Sequence, residues 1–106
     1  MSYRYMRIMV MFDLPTTTAV DMKCYRDFRK FLIKNGFMMM QESIYTKIVL
    51  NQGMASLIAN KLRANKPVKG LVQMLVITEK QFSRMEILVG DISEENITDD
   101  RRLIVL

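Results

Sequence analysis

Four short apolar runs alternate with two helical patterns in the order strand, helix, strand, strand, helix, strand, and within each helical pattern apolar residues recur three and four apart. No internal repeat or low-complexity segment interrupts them. That order is the split βαβ arrangement, so the sequence predicts an α+β domain of ferredoxin-like βαββαβ type, with extra strand material at the C-terminal end. At 106 residues the chain has the length of one domain, enough to bury roughly 65% of its unfolded surface.

Tyr5 to Pro15, YMRIMVMFDLP, is a nearly unbroken apolar run, too short for a typical helix, that stops at Asp13 followed by Leu14 and Pro15. It reads as a buried first strand with a carboxylate at its mouth. Thr16, Thr17 and Thr18 suit capping, and a helix then runs to Asn35, placing Met22, Tyr25, Phe28, Phe31 and Leu32 on the face that packs on the sheet. Asn35-Gly36 supplies a left-handed stop. Phe37 to Leu50 has room for two short strands joined around Glu42-Ser43, or for one long bent strand. Asn51, or a residue just after it, caps a second helix with Met54, Leu57, Ile58 and Leu62 as its apolar face. Pro67 ends that helix, because proline disfavours helical geometry at the residue before it. Gly70 opens a strand from Leu71 to Thr78. Thr78 and Gln81 then have the spacing of a capping box for a short helical turn reaching Arg84. Met85 to Val89 is predicted as a fifth strand, Gly90 to Asp100 as an acidic loop, and Arg101 to Leu106 as a last strand-like piece.

Both helices of such a domain cover one face of the antiparallel sheet, and the other face normally alternates with polar residues. Ile8 to Phe12 and Met74 to Ile77 are instead apolar at consecutive positions, leaving a patch of the kind that monomers avoid. A second copy packed sheet to sheet covers it, with RRLIVL adding to an edge of the partner. The expected organisation is a homodimer in which residues 1–90 form the ferredoxin-like domain and residues 91–106 reach the partner.

Composition narrows the chemistry. The absence of histidine removes the usual general base, the Ser-His and Cys-His pairs and imidazole metal ligands. A single cysteine, Cys24, excludes an internal disulfide and a Cys-based zinc cluster, which fits a reducing compartment. No apolar run approaches the ~20 residues of a membrane span, and charge among Ser2 to Arg7 stands where a signal peptide turns apolar. A cytoplasmic protein with no membrane partner is expected. The formal charge is +5, but residues 1–84 carry fourteen Lys and Arg against five Asp and Glu, while residues 85–106 carry two against six. A basic body with an acidic tail is the footprint of a polyanion partner, most often nucleic acid.

Lys23, Arg26, Lys30 and Lys34 form a stripe on the first helix, interrupted by Asp27. Such stripes are usually only solvated faces, yet on a basic body this one is a candidate nucleic-acid contact, following phosphates without reading bases. Thr16, Thr17 and Thr18 at a helix N-terminus are candidates for holding a phosphate, although as caps they need no function. Asp13 is either a helix cap or the one carboxylate available for chemistry at the strand mouth. Cys24 reads as a passive helical cysteine.

Several stretches together resemble the CRISPR-associated Cas-two family of spacer-acquisition proteins, most of all its members from type II systems. They are Phe12-Asp13-Leu14-Pro15, Tyr25-Arg26-Asp27-Phe28-Arg29-Lys30-Phe31-Leu32, Asn35-Gly36-Phe37, Gln41-Glu42-Ser43-Ile44-Tyr45 and Thr78-Glu79-Lys80-Gln81-Phe82. The resemblance implies a ferredoxin-like homodimer whose two Asp13 residues meet across the interface and hold Mg2+, with Asp13 catalytic in a metal-dependent endonuclease acting on RNA or DNA. Ser43 and Tyr45 match the family motif and are candidates for orienting substrate, or for shaping a tight strand connection. The implied partners are Cas-one integrase dimers, bridged along a double-stranded DNA prespacer, together with the type II effector nuclease and a DNA-end-binding accessory protein. Three readings follow: a DNA-binding scaffold, a working magnesium nuclease, and an unrelated ferredoxin-like module such as a toxin-type endoribonuclease or RNA-binding domain. The last lacks the exposed aromatic pair of an RNA-recognition motif.

Overall fold

The computed structural model describes residues 5–90. Its first strand, β1 (Met6–Asp13), lies in the middle of a four-stranded antiparallel sheet and turns Ile8, Val10 and Phe12 into the core. The next elements are α1 (Ala19–Lys34), β2 (Met38–Gln41), β3 (Ile44–Val49), α2 (Gln52–Ala64), β4 (Leu71–Thr78) and the single turn α3 (Glu79–Phe82). The strand order β2-β3-β1-β4 is the ferredoxin-like order that the sequence predicts. Between Phe37 and Leu50 the chain makes two strands, with an irregularity in β2 between Met39 and Gln41.

Alternation along a strand sends successive side chains to opposite faces. Val10 stands opposite both Tyr45 and Met74, and these positions face the helices. Phe28 and Leu32 of α1, and Ala55 and Leu62 of α2, close the core over them. Phe12 is its aromatic centre, meeting Phe28 edge-on at 5.3 Å and lying 5.6 Å from Tyr45. The other face carries Arg7, Met9, Met11 and Asp13 on β1, Ile44 and Ile48 on β3, and Leu71, Leu75 and Ile77 on β4. Ile48, Leu71 and Leu75 are about half exposed there. Among the described residues the sheet therefore has the uncovered apolar face that the sequence predicts.

Three expectations are corrected. On α1 the buried residue of the first turn is Asp21, not Met22, because the Asp21 carboxylate turns inward to close the capping box with Thr18 and to meet Lys69 from the segment before β4. On α2 the inward residues are Ala55, Ala59 and Leu62, while Leu57 is 63% exposed and Met54 is also exposed. Small side chains let a helix approach the sheet closely, so the alanines mark the contact face. Met85 to Val89 is not a strand: the segment pairs with neither of the two outer edges, β2 and β4, that the sheet leaves open among the described residues, and Val89 is 94% exposed. The predicted acidic loop beyond Gly90 and the strand-like RRLIVL lie outside the described residues. No described helix is long and apolar enough to cross a membrane.

Candidate functional site

Asp13 ends β1 on the uncovered face, opposite Leu71. The mouth of the strand is held from two sides. Gly70 has a φ of +94°, and a Cβ there would lie 2.8 Å from the Asp13 carbonyl oxygen and 2.7 Å from Leu14 Cδ2, so only glycine lets β4 begin so close to β1. From the other side the Phe12 N–H donates to the Ser43 carbonyl oxygen at 3.0 Å, which draws the β2–β3 turn against the strand. Asp13, Ser43 and Gln73 line a shallow hollow of about 170 Å³ with Met11, Phe12, Ile44 and Leu71.

The Asp13 side chain is exposed, and none of the hydrogen bonds or ion pairs among the described residues engages it. It is not the helix cap, a role filled by Thr18, whose hydroxyl accepts from the Asp21 N–H at 3.0 Å while Asp21 Oδ2 accepts from the Thr18 N–H at 3.4 Å. Lys69 completes this arrangement, its Nζ lying 3.4 Å from Asp21 Oδ1. Thr16 and Thr17 are exposed beside it. The anionic group at this helix N-terminus is thus the protein's own Asp21.

Ser43 shares the hollow with Asp13; Tyr45 does not. Tyr45 is wholly buried on the opposite face of the sheet, and its hydroxyl accepts a hydrogen bond from Arg29 Nε at 2.7 Å. The stripe residues Lys23, Arg26, Lys30 and Lys34 are all exposed, as predicted by their spacing. They are not equivalent, because Lys23 Nζ is bound to Asp27 Oδ2 at 2.9 Å. That contact raises the pKa of Lys23, and the same hydrogen bond lowers that of Asp27. Cys24 is exposed on α1, beside an apolar cleft of about 270 Å³ between Leu14, Val20 and Val68.

Among the described residues no three carboxylate or thiol groups converge to hold a metal. Magnesium nevertheless suits the donor set at the hollow. It takes oxygen ligands, keeps several waters, and is commonly bound through one or two carboxylates plus substrate phosphates. One Asp13 carboxylate, with the Ser43 hydroxyl and the Gln73 amide lining the same hollow, is a sparse but chemically suitable set of oxygen donors for it.

Fold and site together define a small basic ferredoxin-like domain with one unengaged carboxylate at the mouth of its central strand. Comparison with known proteins narrows this. The chain belongs to the family described as CRISPR associated protein Cas2, whose model matches residues 6–85. It is 46% identical over 101 residues to the CRISPR-associated endoribonuclease Cas2 of Treponema denticola, covering 95% of this chain and 100% of that protein. It is 45% identical to the one from Streptococcus mutans, covering 95% and 93% of the two chains, and 41% identical to that of Ligilactobacillus salivarius, covering 95% and 100%. Membership bears out the family resemblance and sets aside an unrelated ferredoxin-like module. The matched segment includes Asp13, all of α1, Ser43 and Tyr45 and stops before the acidic tail.

Proposed function

We propose that this chain acts in CRISPR adaptation as a homodimer that binds double-stranded DNA without reading sequence and bridges Cas-one integrase dimers along the prespacer. Magnesium-dependent phosphodiester cleavage of RNA or DNA at paired Asp13 residues is its catalytic capacity. The observation that carries the reading is that Asp13 lies on the same sheet face as Met9, Met11, Leu71 and Leu75. A second copy covering that apolar face brings a second Asp13 toward the first. The names of the relatives, CRISPR-associated endoribonucleases, support the cleavage; the basic body supports the nucleic-acid contact.

In each chain Asp13 supplies a carboxylate and Ser43 a hydroxyl donor suited to a phosphate oxygen, both on the rim of one hollow. Two ionised carboxylates brought together repel, so the pair favours a cation between them. Held by the two Asp13 carboxylates, a magnesium ion would supply Lewis acidity toward a phosphoryl oxygen and would lower the pKa of water, chemistry that this chain, without histidine, has no side chain to replace. Lys23, Arg26, Lys30 and Lys34, with Thr16, Thr17 and Thr18, are the proposed nucleic-acid contacts. The type II effector nuclease and the DNA-end-binding accessory protein are proposed as further members of the acquisition complex.

The test combines cleavage with assembly. Asp13→Ala is expected to reduce magnesium-dependent cleavage of RNA and DNA substrates by at least about 10²-fold, and chelation is expected to abolish it in the wild type. Cleavage at an undiminished rate in Asp13→Ala removes the catalytic assignment. Reversing the charges of Arg26 and Lys30 is expected to abolish the co-purified complex with the integrase and a short duplex, and an intact complex removes the scaffold assignment.

A further inference from the structure

The helical stripe omits the α1 cation that is tethered to a buried residue of the sheet. Arg29 stands on the flank of α1 between the stripe and the core-facing side, and its Nε donates to the Tyr45 hydroxyl at 2.7 Å. Tyr45 is wholly buried, opposite Val10 and packed against Phe12, so the tether point is rigid. No hydrogen bond or ion pair among the described residues takes up the two Nη groups, although the residue is exposed. Arg7, Lys23 and Lys69 are by contrast engaged by Glu79, Asp27 and Asp21.

Other cations without a carboxylate partner among the described residues gather where α1 ends. Lys34 closes its last turn. Lys61 Nζ reaches across from α2 to Asn35 Oδ1 at 3.1 Å, a neutral partner that leaves the charge uncompensated. Lys47 Nζ lies over Gly36, whose φ is +89° and where a Cβ would be only 2.5 Å away, so the glycine leaves room for the ammonium group as well as turning the chain. The negative end of a helix dipole favours cations at such a corner without cancelling their charge.

We infer that the phosphates of the bound duplex are gripped by the C-terminal half of α1, with Arg29 as the fixed contact, Tyr45 as its positioning residue, and Lys34, Lys47 and Lys61 extending the track around the α1–β2 corner. The inference rests on the reading of this chain as a sequence-independent duplex-binding protein. A guanidinium fork matches phosphate geometry, and one already tethered through Nε loses less rotamer freedom on binding than a free side chain. Tyr45 thus acts on the polyanion through Arg29, from the side of the sheet away from Asp13.

Affinity for a mixed-sequence duplex, measured by fluorescence anisotropy across a range of salt concentrations, tests this, with thermal unfolding of each variant as the fold control. Tyr45→Phe and Arg29→Lys keep the charge and lose the tether, so affinity falls about two- to tenfold while the slope of log affinity against log salt is unchanged. Arg29→Ala loses the contact itself, and the slope shrinks by about 1; Lys47→Ala and Lys61→Ala each act in the same way. Wild-type affinity in folded Tyr45→Phe and Arg29→Lys overturns the positioning role, and an unchanged slope in Arg29→Ala overturns the contact. Lys80→Ala removes one positive charge from α3, and an equal loss there would reduce the Arg29 effect to net charge and sink the localisation. A wild-type protein that does not bind the duplex at low salt overturns the underlying polyanion reading instead, a result distinct from a wild type that binds no better than its Arg29 variants.

Discussion

Three aspartates of the described chain sit in three electrostatic settings. Asp13 is exposed and unengaged, Asp27 is exposed and bound to Lys23, and Asp21 is buried in the capping box that starts α1. Burial of Asp21 opposes ionisation, yet the Thr18 backbone N–H, the Lys69 ammonium and the Thr18 side chain together outweigh it and hold its pKa below the ordinary 3.8. A carboxyl whose pKa is depressed by folding stabilises the fold above its unfolded pKa, and that contribution is lost as pH falls through the folded value. Asp21→Asn, which removes the charge and one of the two acceptor oxygens, is therefore expected to lower the midpoint of thermal unfolding at neutral pH. The difference from wild type narrows as the pH drops below 3.8. Unfolding curves collected across that range check it; a gap that stays constant with pH would mean that the charge of Asp21 is irrelevant.

At the scale of elements, α3 needs an external anchor, because a single turn cannot offset the entropy of its own nucleation. Two devices hold it. The Thr78 hydroxyl accepts from the Gln81 N–H at 3.0 Å and the Gln81 side chain accepts from the Thr78 N–H at 2.9 Å, the capping box that the sequence predicts. Arg7 then reaches from β1, pairing its Nε and Nη2 with the two Glu79 oxygens at 2.8 and 2.6 Å and lying 4.1 Å over the Phe82 ring. Glu79→Ala breaks the fork and leaves a part-buried guanidinium with the Thr46 hydroxyl as its remaining hydrogen-bond acceptor and the Phe82 ring beneath it. The expected cost is about 1–3 kcal/mol, with faster amide exchange through Glu79–Phe82; exchange at the wild-type rate would show that the capping box alone suffices. The capping box, the Asn35-Gly36 stop and the Gly70 opening were all readable in advance because each is chemistry between residues a few positions apart. The Arg7–Glu79 and Arg29–Tyr45 bonds were not, because they join residues 72 and 16 positions apart that only the packing of α3 and α1 against the folded sheet brings together. Counting large apolar residues likewise overlooked Ala55 and Ala59, and strand composition in Met85 to Val89 does not by itself make the segment pair, although β4 keeps an open outer edge among the described residues.

For the whole molecule, the proposed pairing of Asp13 residues depends on the apolar sheet face. Met9 is buried by its neighbours within one chain, but Leu75, directly opposite it on β4, is about half exposed, as are Leu71 and Ile48. Burying that face against its own copy removes apolar surface at roughly 25 cal/mol per Å², and a two-fold arrangement uses the same patch on both sides. Leu75→Glu puts a carboxylate in the middle of the patch while leaving it solvated in the single chain, so the fold is expected to survive and the dimer to dissociate. Sedimentation velocity should then report a monomer where the wild type has twice the mass, and magnesium-dependent cleavage should fall as far as in Asp13→Ala although Asp13 is intact. The two readouts separate the parts of the proposal. A dimeric Leu75→Glu protein that still cleaves would place the interface elsewhere, whereas a monomer that cleaves normally would mean that a single Asp13, with substrate phosphate and water as the remaining ligands, is the whole metal site.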